Sequence, residues 1–148
     1  MEKDVIISIK GGQRYENADP DTMELVTAGR LEREGNSYTL SYQESELTGL
    51  EGTLTTFQIE PERITLMRVG EFNSQMVFQE GRRHMSMYNT PYGAMTIGVN
   101  TRHLLAELDD QGGEIEIDYA IEIDHSVAGR NTFQINVKEA EGAAGLQI

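Results

Sequence analysis

Alternation of apolar and polar residues is clearest near the carboxyl end of the chain. The stretch EIEIDYAIEID, residues 114–124, places four isoleucines and Tyr119 at alternate positions, mostly separated by Glu and Asp. A period of two is typical of an antiparallel strand with one buried and one solvated face. The stretch NTFQINVKE, residues 131–139, repeats the pattern. The two stretches are therefore predicted to pair as a hairpin across HSVAGR.

The register of this hairpin follows from the same alternation. Because the apolar side chains must share one face, the residue numbers of each opposed pair must sum to an even number. Registers that obey this rule place Lys138 opposite Asp118 or Glu116, where a cross-strand ion pair relieves some of the negative charge. The acidic residues between the isoleucines are interpreted as a solvated face rather than as a cation site.

Weaker alternation runs through most of the remaining chain. Short stretches separated by Gly, Asn, Asp and Pro predict about nine or ten strands with turns between them, and the pair Gly11-Gly12 is taken as one such break. Residues 101–110, TRHLLAELDD, fit either a short helix capped by Thr101 or a continuing strand. We favour the strand.

The stretch HMSMYNTPYGAM, residues 84–95, is predicted to be two strands joined by a tight turn. Pro91 presets φ at the second turn position, Gly93 suits the fourth position, and Thr90 before proline is held extended. Turn chemistry explains each of these residues but not Tyr92. An exposed tyrosine at a barrel rim is a candidate binding contact, but single exposed aromatic residues are also common on protein surfaces.

The predicted fold class is all-β, with a closed antiparallel barrel of about 8–10 strands in a single domain over residues 1–148. Few helical segments remain to cover the edges of an open sheet, and closure removes those edges. A barrel of about eight strands encloses a lumen that side chains or one small ligand can fill. The glycine-rich tail, about residues 140–148, is expected to be loosely ordered unless it docks on the barrel.

Composition and charge narrow the classes of partner. Twelve Lys and Arg against twenty-five Asp and Glu give a formal net charge of −13 and a pI near 4.5. A negative field repels phosphate, so neither nucleic acid nor an anionic membrane surface is expected as a partner. The sequence has no cysteine, no signal-peptide pattern and no apolar run of membrane-spanning length, so a cytoplasmic protein is expected.

Common catalytic and metal-binding motifs are missing from the sequence. There is no G-x-S-x-G, G-x-G-x-x-G, Walker A or H-E-x-x-H pattern. The three histidines, His84, His103 and His125, are each isolated, without the spacing of metal ligands. No metal and no cofactor are therefore expected, and no catalytic residue is assigned.

Several polar residues occur on predicted strands at positions that share one face. Tyr42 and Glu44 share a face by the two-residue rule, and so do His84 and Tyr88 on another strand. Arg68 falls in phase with apolar residues of its strand and is predicted to point inward. A buried arginine needs a carboxylate partner, and Glu44 is our candidate.

The Arg68–Glu44 pair has two interpretations. It is either a structural polar network that fixes the core, which we favour, or an anchor for a small anionic or polar ligand, because arginine binds carboxylate or phosphate at two points. Under the second interpretation the candidate ligand-binding residues are Tyr42, Glu44, Arg68, His84, Tyr88 and Tyr92.

Three stretches together resemble a known family. YQESELTGLEGTLTTF, MRVGEFNSQMVFQEGRR and YNTPYGAM, in this order and spacing, are similar to the YwiB-like family of small bacterial proteins, over about Val5 to Val137. The most specific pieces are Tyr42-x-Glu44, Glu51-Gly52-Thr53, Arg68-x-Gly70 and Tyr88-x-Thr90-Pro91-x-Gly93. The resemblance implies a calycin-like β-barrel, related in form to the lipocalins, and a domain of unknown function. It supplies no catalytic residues, and ligand binding by calycin barrels is an analogy of fold only.

Three hypotheses of function follow. The leading one is a cytoplasmic β-barrel that binds a small molecule of unknown identity. The alternative is a protein-interaction or structural module, with a homodimer as one form. The third is a hydrolase or isomerase that uses Glu44 or His84 as a base, which no motif supports.

Overall fold

A computed structural model describes residues 2–15, 21–45, 51–70, 73–90, 93–123 and 126–140. Every regular element within these ranges is a β-strand. The ten strands are β1 (Glu2–Tyr15), β2 (Asp21–Glu34), β3 (Ser37–Gln43), β4 (Thr53–Ile59), β5 (Ile64–Gly70), β6 (Ser74–Phe78), β7 (Arg83–Thr90), β8 (Gly93–Asp109), β9 (Gly112–Ile123) and β10 (Ser126–Glu139). The described ranges contain no helix long and apolar enough to cross a membrane.

The strands form one antiparallel sheet in the order β6-β5-β4-β3-β2-β1-β10-β9-β8-β7. Each ladder joins strands that are neighbours in the chain, except the ladder between β1 and β10, which runs from Val5 opposite Glu139 to Tyr15 opposite Gly129. The two edge strands, β6 and β7, lie side by side and nearly close the sheet. The structure therefore confirms the predicted all-β barrel.

Alternate strands run in opposite directions, so the barrel has two distinct ends. We call the end at which β1, β3, β5, β7 and β9 finish the upper end. At the lower end the connections are short, with Gly35-Asn36 between β2 and β3 and Asp110-Gln111 between β8 and β9. Residues 16–20, 46–50, 71–72, 91–92 and 124–125 of the upper connections, together with residues 141–148, lie outside the described part of the chain. The predictions for the carboxyl-terminal tail fall almost entirely on those residues.

The hairpin of β9 and β10 is confirmed, with Tyr119 opposite Asn131 and every pair below the bulge summing to an even number. The predicted position of Lys138 is wrong, because Lys138 lies opposite Gly112 rather than Asp118 or Glu116. The reason is the length of the connection. Most of HSVAGR belongs to β10, which begins at Ser126, and a bulge between Val127 and Gly129 shifts the register.

Residues 101–109 continue β8, as we favoured, and a bulge explains why they resemble a helix. The register shifts between Thr101 and His103. Before the shift the inward positions carry odd numbers, as at Val99 and Thr101. After it they carry even numbers, as at Leu104 and Leu108, so the apolar spacing no longer follows simple alternation.

The lumen is filled by rows of apolar side chains that face one another across neighbouring strands. One row crosses β2 to β6 and consists of Leu31, Leu40, Phe57, Leu66 and Met76. A second row crosses β2, β1, β10 and β9 and consists of Leu25, Ile9, Ile135 and Ile115. All of these side chains are buried except Met76, which is half-buried. On β1 the buried inward positions end at Ile9, and the next inward position is Gly11.

Gly29 of β2 is fixed by the close approach of its neighbours. A Cβ atom there would lie 2.4 Å from Ile7 Cδ1 and 2.5 Å from the Ser41 carbonyl oxygen. The carbonyl belongs to the main chain beside the β2–β3 ladder, so it can move only if the sheet distorts. We expect Gly29→Ala to lower the free energy of unfolding, measured by urea denaturation, by about 2 kcal/mol or more.

Gly11→Ala is the matched control for this prediction, because a Cβ atom there meets side-chain atoms no closer than 3.6 Å. The control should be as stable as the wild type or slightly more so, since alanine restricts the unfolded chain. Equal stability of the two variants would contradict the prediction.

Candidate functional site

Five polar residues face the lumen near the upper end of the barrel. Tyr42 of β3, Thr55 of β4 and Arg68 of β5 lie directly opposite one another along the ladders. Glu44 follows β3, and its backbone N–H donates to the carbonyl oxygen of Thr53 at 2.9 Å. We call Tyr42, Glu44, Thr53, Thr55 and Arg68 the polar cluster. Strand alternation places these residues together, because four of them are inward positions of their strands and Glu44 continues the alternation of β3.

The carboxylate of Glu44 is the centre of the polar cluster, with its side chain only 1% exposed. Its Oε2 accepts a hydrogen bond from Thr55 Oγ1 at 2.5 Å and lies 3.8 Å from Arg68 Nε. The predicted inward direction of Arg68 and its pairing with Glu44 are thus confirmed. The ion pair compensates part of the cost of burying a carboxylate.

Tyr42 is held in its neutral form by the same surroundings. Burial is the main cause that raises the pKa of its hydroxyl above the ordinary value of 10.0, and the negative charge of Glu44 raises the pKa further. Arg68 acts in the opposite direction. A hydrogen bond between Tyr42 and Glu44 also raises the pKa, as expected when the phenol donates to the carboxylate.

Of the remaining sequence-predicted residues, the structure describes the side chain of His84 alone, and it lies away from this cluster. His84 of β7 hydrogen-bonds through Nε2 to Gln79 Oε1 at 3.0 Å, close to the lower end. Tyr88 is placed in β7 opposite Met95, but its side chain lies outside the described part of the structure, as does all of Tyr92. The structure therefore brings together Tyr42, Glu44 and Arg68 from the predicted set.

The other histidines give no metal site in the described ranges. His103 lies on the outer face, with Glu80 at 3.5 Å and Glu116 at 3.4 Å, and His125 is outside the described residues. Within those ranges no group of three or more His, Asp and Glu side chains is arranged to hold a metal ion.

A cavity of about 300 Å³ lies near the upper end of the barrel. We call it the end cavity. Its lining comes from three adjacent strands and consists of Gly11, Gly12, Gln13, Thr22, Met23, Asn131, Thr132 and Phe133. The space arises at Gly11, which has no side chain and whose partners across the two ladders are Met23 and Phe133.

Aromatic stacking and one hydrogen bond support a wall of the end cavity. The ring planes of Phe133 and Tyr119 are inclined at 29°, and their centroids lie 6.0 Å apart. The ring of Tyr119 also packs against that of Phe78, with 4.7 Å between the centroids. Asn131 is buried at the rim and donates from Nδ2 to the Tyr119 hydroxyl at 3.1 Å. An apolar floor with a few fixed polar groups is the usual composition of a small-molecule site.

Sequence reasoning missed the end cavity. The signal that pointed to it was Gly11-Gly12, which we interpreted as a break between strands. Both glycines lie inside β1, and glycine in a strand interior often marks a place where a ligand or another backbone approaches closely.

The fold and these two inward-facing features define a ten-stranded, nearly closed antiparallel barrel with a polar cluster and a cavity at its upper end. The chain belongs to the family described as Domain of unknown function (DUF1934), which matches residues 7–135. This match confirms the resemblance inferred from the sequence.

The fold is shared with a solved structure, described as the crystal structure of ywiB protein from Bacillus subtilis. The two superpose with a TM-score of 0.81 and 20% sequence identity, over 93% of this chain and 92% of that one. At this level of identity the likeness establishes the fold alone. The comparison with curated proteins gives no match.

The polar cluster makes a prediction about stability. Arg68→Met leaves the buried Glu44 carboxylate without its cation, and we expect a loss of about 2–3 kcal/mol in the free energy of unfolding. The loss is below that of a fully enclosed pair because the Arg68 side chain is 22% exposed. The double variant Glu44→Gln, Arg68→Met removes both charges and should recover most of the loss in urea denaturation.

Arg63→Met is the control. Arg63 forms an exposed ion pair with Glu60 at 3.2 Å, so its loss should change the free energy of unfolding only slightly. If Arg68→Met and the double variant were equally stable, the carboxylate would not depend on Arg68, contrary to the prediction.

Tyr42 makes a prediction about alkaline pH. Its pKa is raised in the folded state, so above about pH 10 only the unfolded chain can ionise this residue, and stability falls as the pH rises. Between about pH 10 and 11 the wild type should lose up to about 1.4 kcal/mol more than Tyr42→Phe. Urea denaturation of both proteins across this range measures the difference. Parallel pH profiles would show that Tyr42 ionises normally in the barrel.

Proposed function

We propose that this barrel binds a small, mainly apolar molecule in the end cavity. The observation that carries the proposal is Gly11. Glycine in a strand interior costs about 0.5–1 kcal/mol relative to alanine. Gly11 does not have a positive φ, and a Cβ atom there would make only ordinary contacts, at 3.6 Å to Phe133 and 3.7 Å to Met23. The fold therefore does not require glycine at this position, whereas an open cavity does.

The packing of the rest of the lumen limits where a ligand can lie. On β1 the buried inward side chains end at Ile9. A ligand therefore occupies the upper end rather than the centre of the lumen, with Met23 and Phe133 against its apolar part. Met23 is 41% exposed, and its unbranched side chain adapts to different ligand shapes. The Asn131 amide at the rim offers a directional contact for a polar group.

The size of the end cavity sets the scale of the ligand. About 300 Å³ lies at the lower limit of typical ligand pockets, which suits a molecule smaller than a drug-sized compound. Met23 and Phe133 supply the apolar side chains of the lining, and burial of apolar surface against them would contribute most of the binding free energy.

Filling the end cavity tests the proposal. Octanol, a neutral probe with an apolar chain, should bind the wild type and shift the methyl resonance of Met23 in NMR spectra. Gly11→Leu places a side chain between Met23 and Phe133 and should weaken octanol binding at least about tenfold, a change of roughly 1.4 kcal/mol. The variant should remain folded, because the added side chain occupies existing space.

Ser8→Leu is the matched control. Ser8 lies on the same strand but on its outer face, so the same side chain added there should leave octanol binding unchanged. Equal octanol affinity in the wild type and in Gly11→Leu would refute binding in the end cavity.

A further inference from the structure

The polar cluster carries an inference beyond the end cavity. We propose that Arg68 is an anion-binding residue whose guanidinium group takes the carboxylate or phosphate group of a small molecule at the upper end of the barrel. This site stands on its own residues and does not require the end cavity to bind a ligand.

Arg68 is held in place but its hydrogen-bonding capacity is not used. Its Nε is buried and has no hydrogen-bond partner. The approach to Glu44 is 3.8 Å at Nε, too long for a hydrogen bond. Across the described ranges no side-chain hydrogen bond from the guanidinium is found. The planar group therefore keeps its donors for another acceptor.

A second unsatisfied atom belongs to the same cluster. Thr53 Oγ1 is also buried without a hydrogen-bond partner. Thr53 lies two residues from Thr55 on β4, and Thr55 is opposite Arg68, so Thr53 and Arg68 are diagonal neighbours on the inward face. Buried polar atoms in native proteins are nearly always satisfied, so two unpartnered atoms in the polar cluster are consistent with an acceptor that binds there.

Another ion pair of the same barrel shows an arginine that forms a bidentate contact with its carboxylate. Arg83 contacts Glu122 through Nε to Oε1 at 2.9 Å and through Nη2 to Oε2 at 3.2 Å. Both carboxylates are buried, yet only Glu122 engages two nitrogens of its arginine. Glu44 Oε2 instead accepts a hydrogen bond from Thr55 and approaches Arg68 Nε only to 3.8 Å, so it holds the guanidinium nearby without a bidentate contact.

The geometry of the Arg68 guanidinium indicates which ligand group it would bind. Two parallel N–H groups of a guanidinium match the two oxygens of a carboxylate or phosphate. The net charge of −13 opposes the approach of anions at long range. Recognition therefore rests on contacts within the barrel mouth, where bulk salt screens the distant charges but little affects the contacts. The affinity should accordingly be modest.

NMR spectroscopy of the Arg68 Nε–H group tests the inference with three probes: octanoate, octanol and inorganic phosphate. A shift with octanoate alone assigns the site to an organic carboxylate, and a shift with phosphate assigns it to a phosphoryl group. Either result supports the proposal, and octanol should leave this resonance unmoved. If neither octanoate nor phosphate moves it, the proposal is overturned.

Variants separate binding from stability. Glu44→Gln removes the neighbouring negative charge but keeps Arg68, so anion affinity should rise several-fold. The double variant Glu44→Gln, Arg68→Met avoids the unpaired carboxylate that destabilises Arg68→Met, and it should bind the same anion about tenfold or more weakly than Glu44→Gln. Arg63→Met is the control and should bind as the wild type does. Equal affinity in Glu44→Gln and the double variant would overturn the role of Arg68.

The same titrations keep the two proposals apart. If octanol shifts the Met23 methyl resonance while neither anion shifts the Arg68 Nε–H resonance, ligand binding in the end cavity is supported and the anion site is overturned. If phosphate shifts the Arg68 Nε–H resonance while octanol does not shift the Met23 methyl resonance, the anion site is supported and ligand binding in the end cavity is overturned.

Discussion

The pairing of β1 with β10 is the constraint on which the rest of the structure depends. All other ladders join strands that follow one another in the chain and form as local hairpins. The β1–β10 ladder alone pairs strands that are distant in the chain, and it joins the six strands β1–β6 to the four strands β7–β10 in one nearly closed barrel. It aligns Ile9 with Ile135 in the core, and it aligns Gly11 with Phe133 one inward position higher. The end cavity therefore exists because of this pairing.

Period-two alternation predicted much of the fold, because it fixes which side chains of a strand face inward. It correctly predicted the hairpin of β9 and β10 and the inward position of Arg68. It failed at Lys138, because a bulge and a short connection set the register there and leave no trace in the alternation. Alternation alone could not locate the end cavity, for a related reason. Its lining comes from β2, β1 and β10, and alternation within each strand does not say which strands are neighbours.

The barrel divides into a packed part and an open, polar part. Rows of apolar side chains fill the lower and middle lumen. The upper end contains the buried Glu44 carboxylate, the incompletely hydrogen-bonded Arg68 and Gly11, a strand glycine that the fold does not require. Each of these features costs stability, and sequences deviate from local rules mainly where function demands it. The chain belongs to a family described as a domain of unknown function and shares its barrel fold with a solved structure. Neither comparison identifies a ligand. Ligand binding is therefore inferred from the residues of the upper end alone.

A crystal structure of the protein, solved first alone and then after exposure to octanol, is the most direct test of the central claim that the upper end holds a ligand site. The account predicts an open space above Gly11 in the first structure and octanol density between Met23 and Phe133 in the second. Side chains that close this space in the first structure, together with no octanol density in the second, would contradict the account.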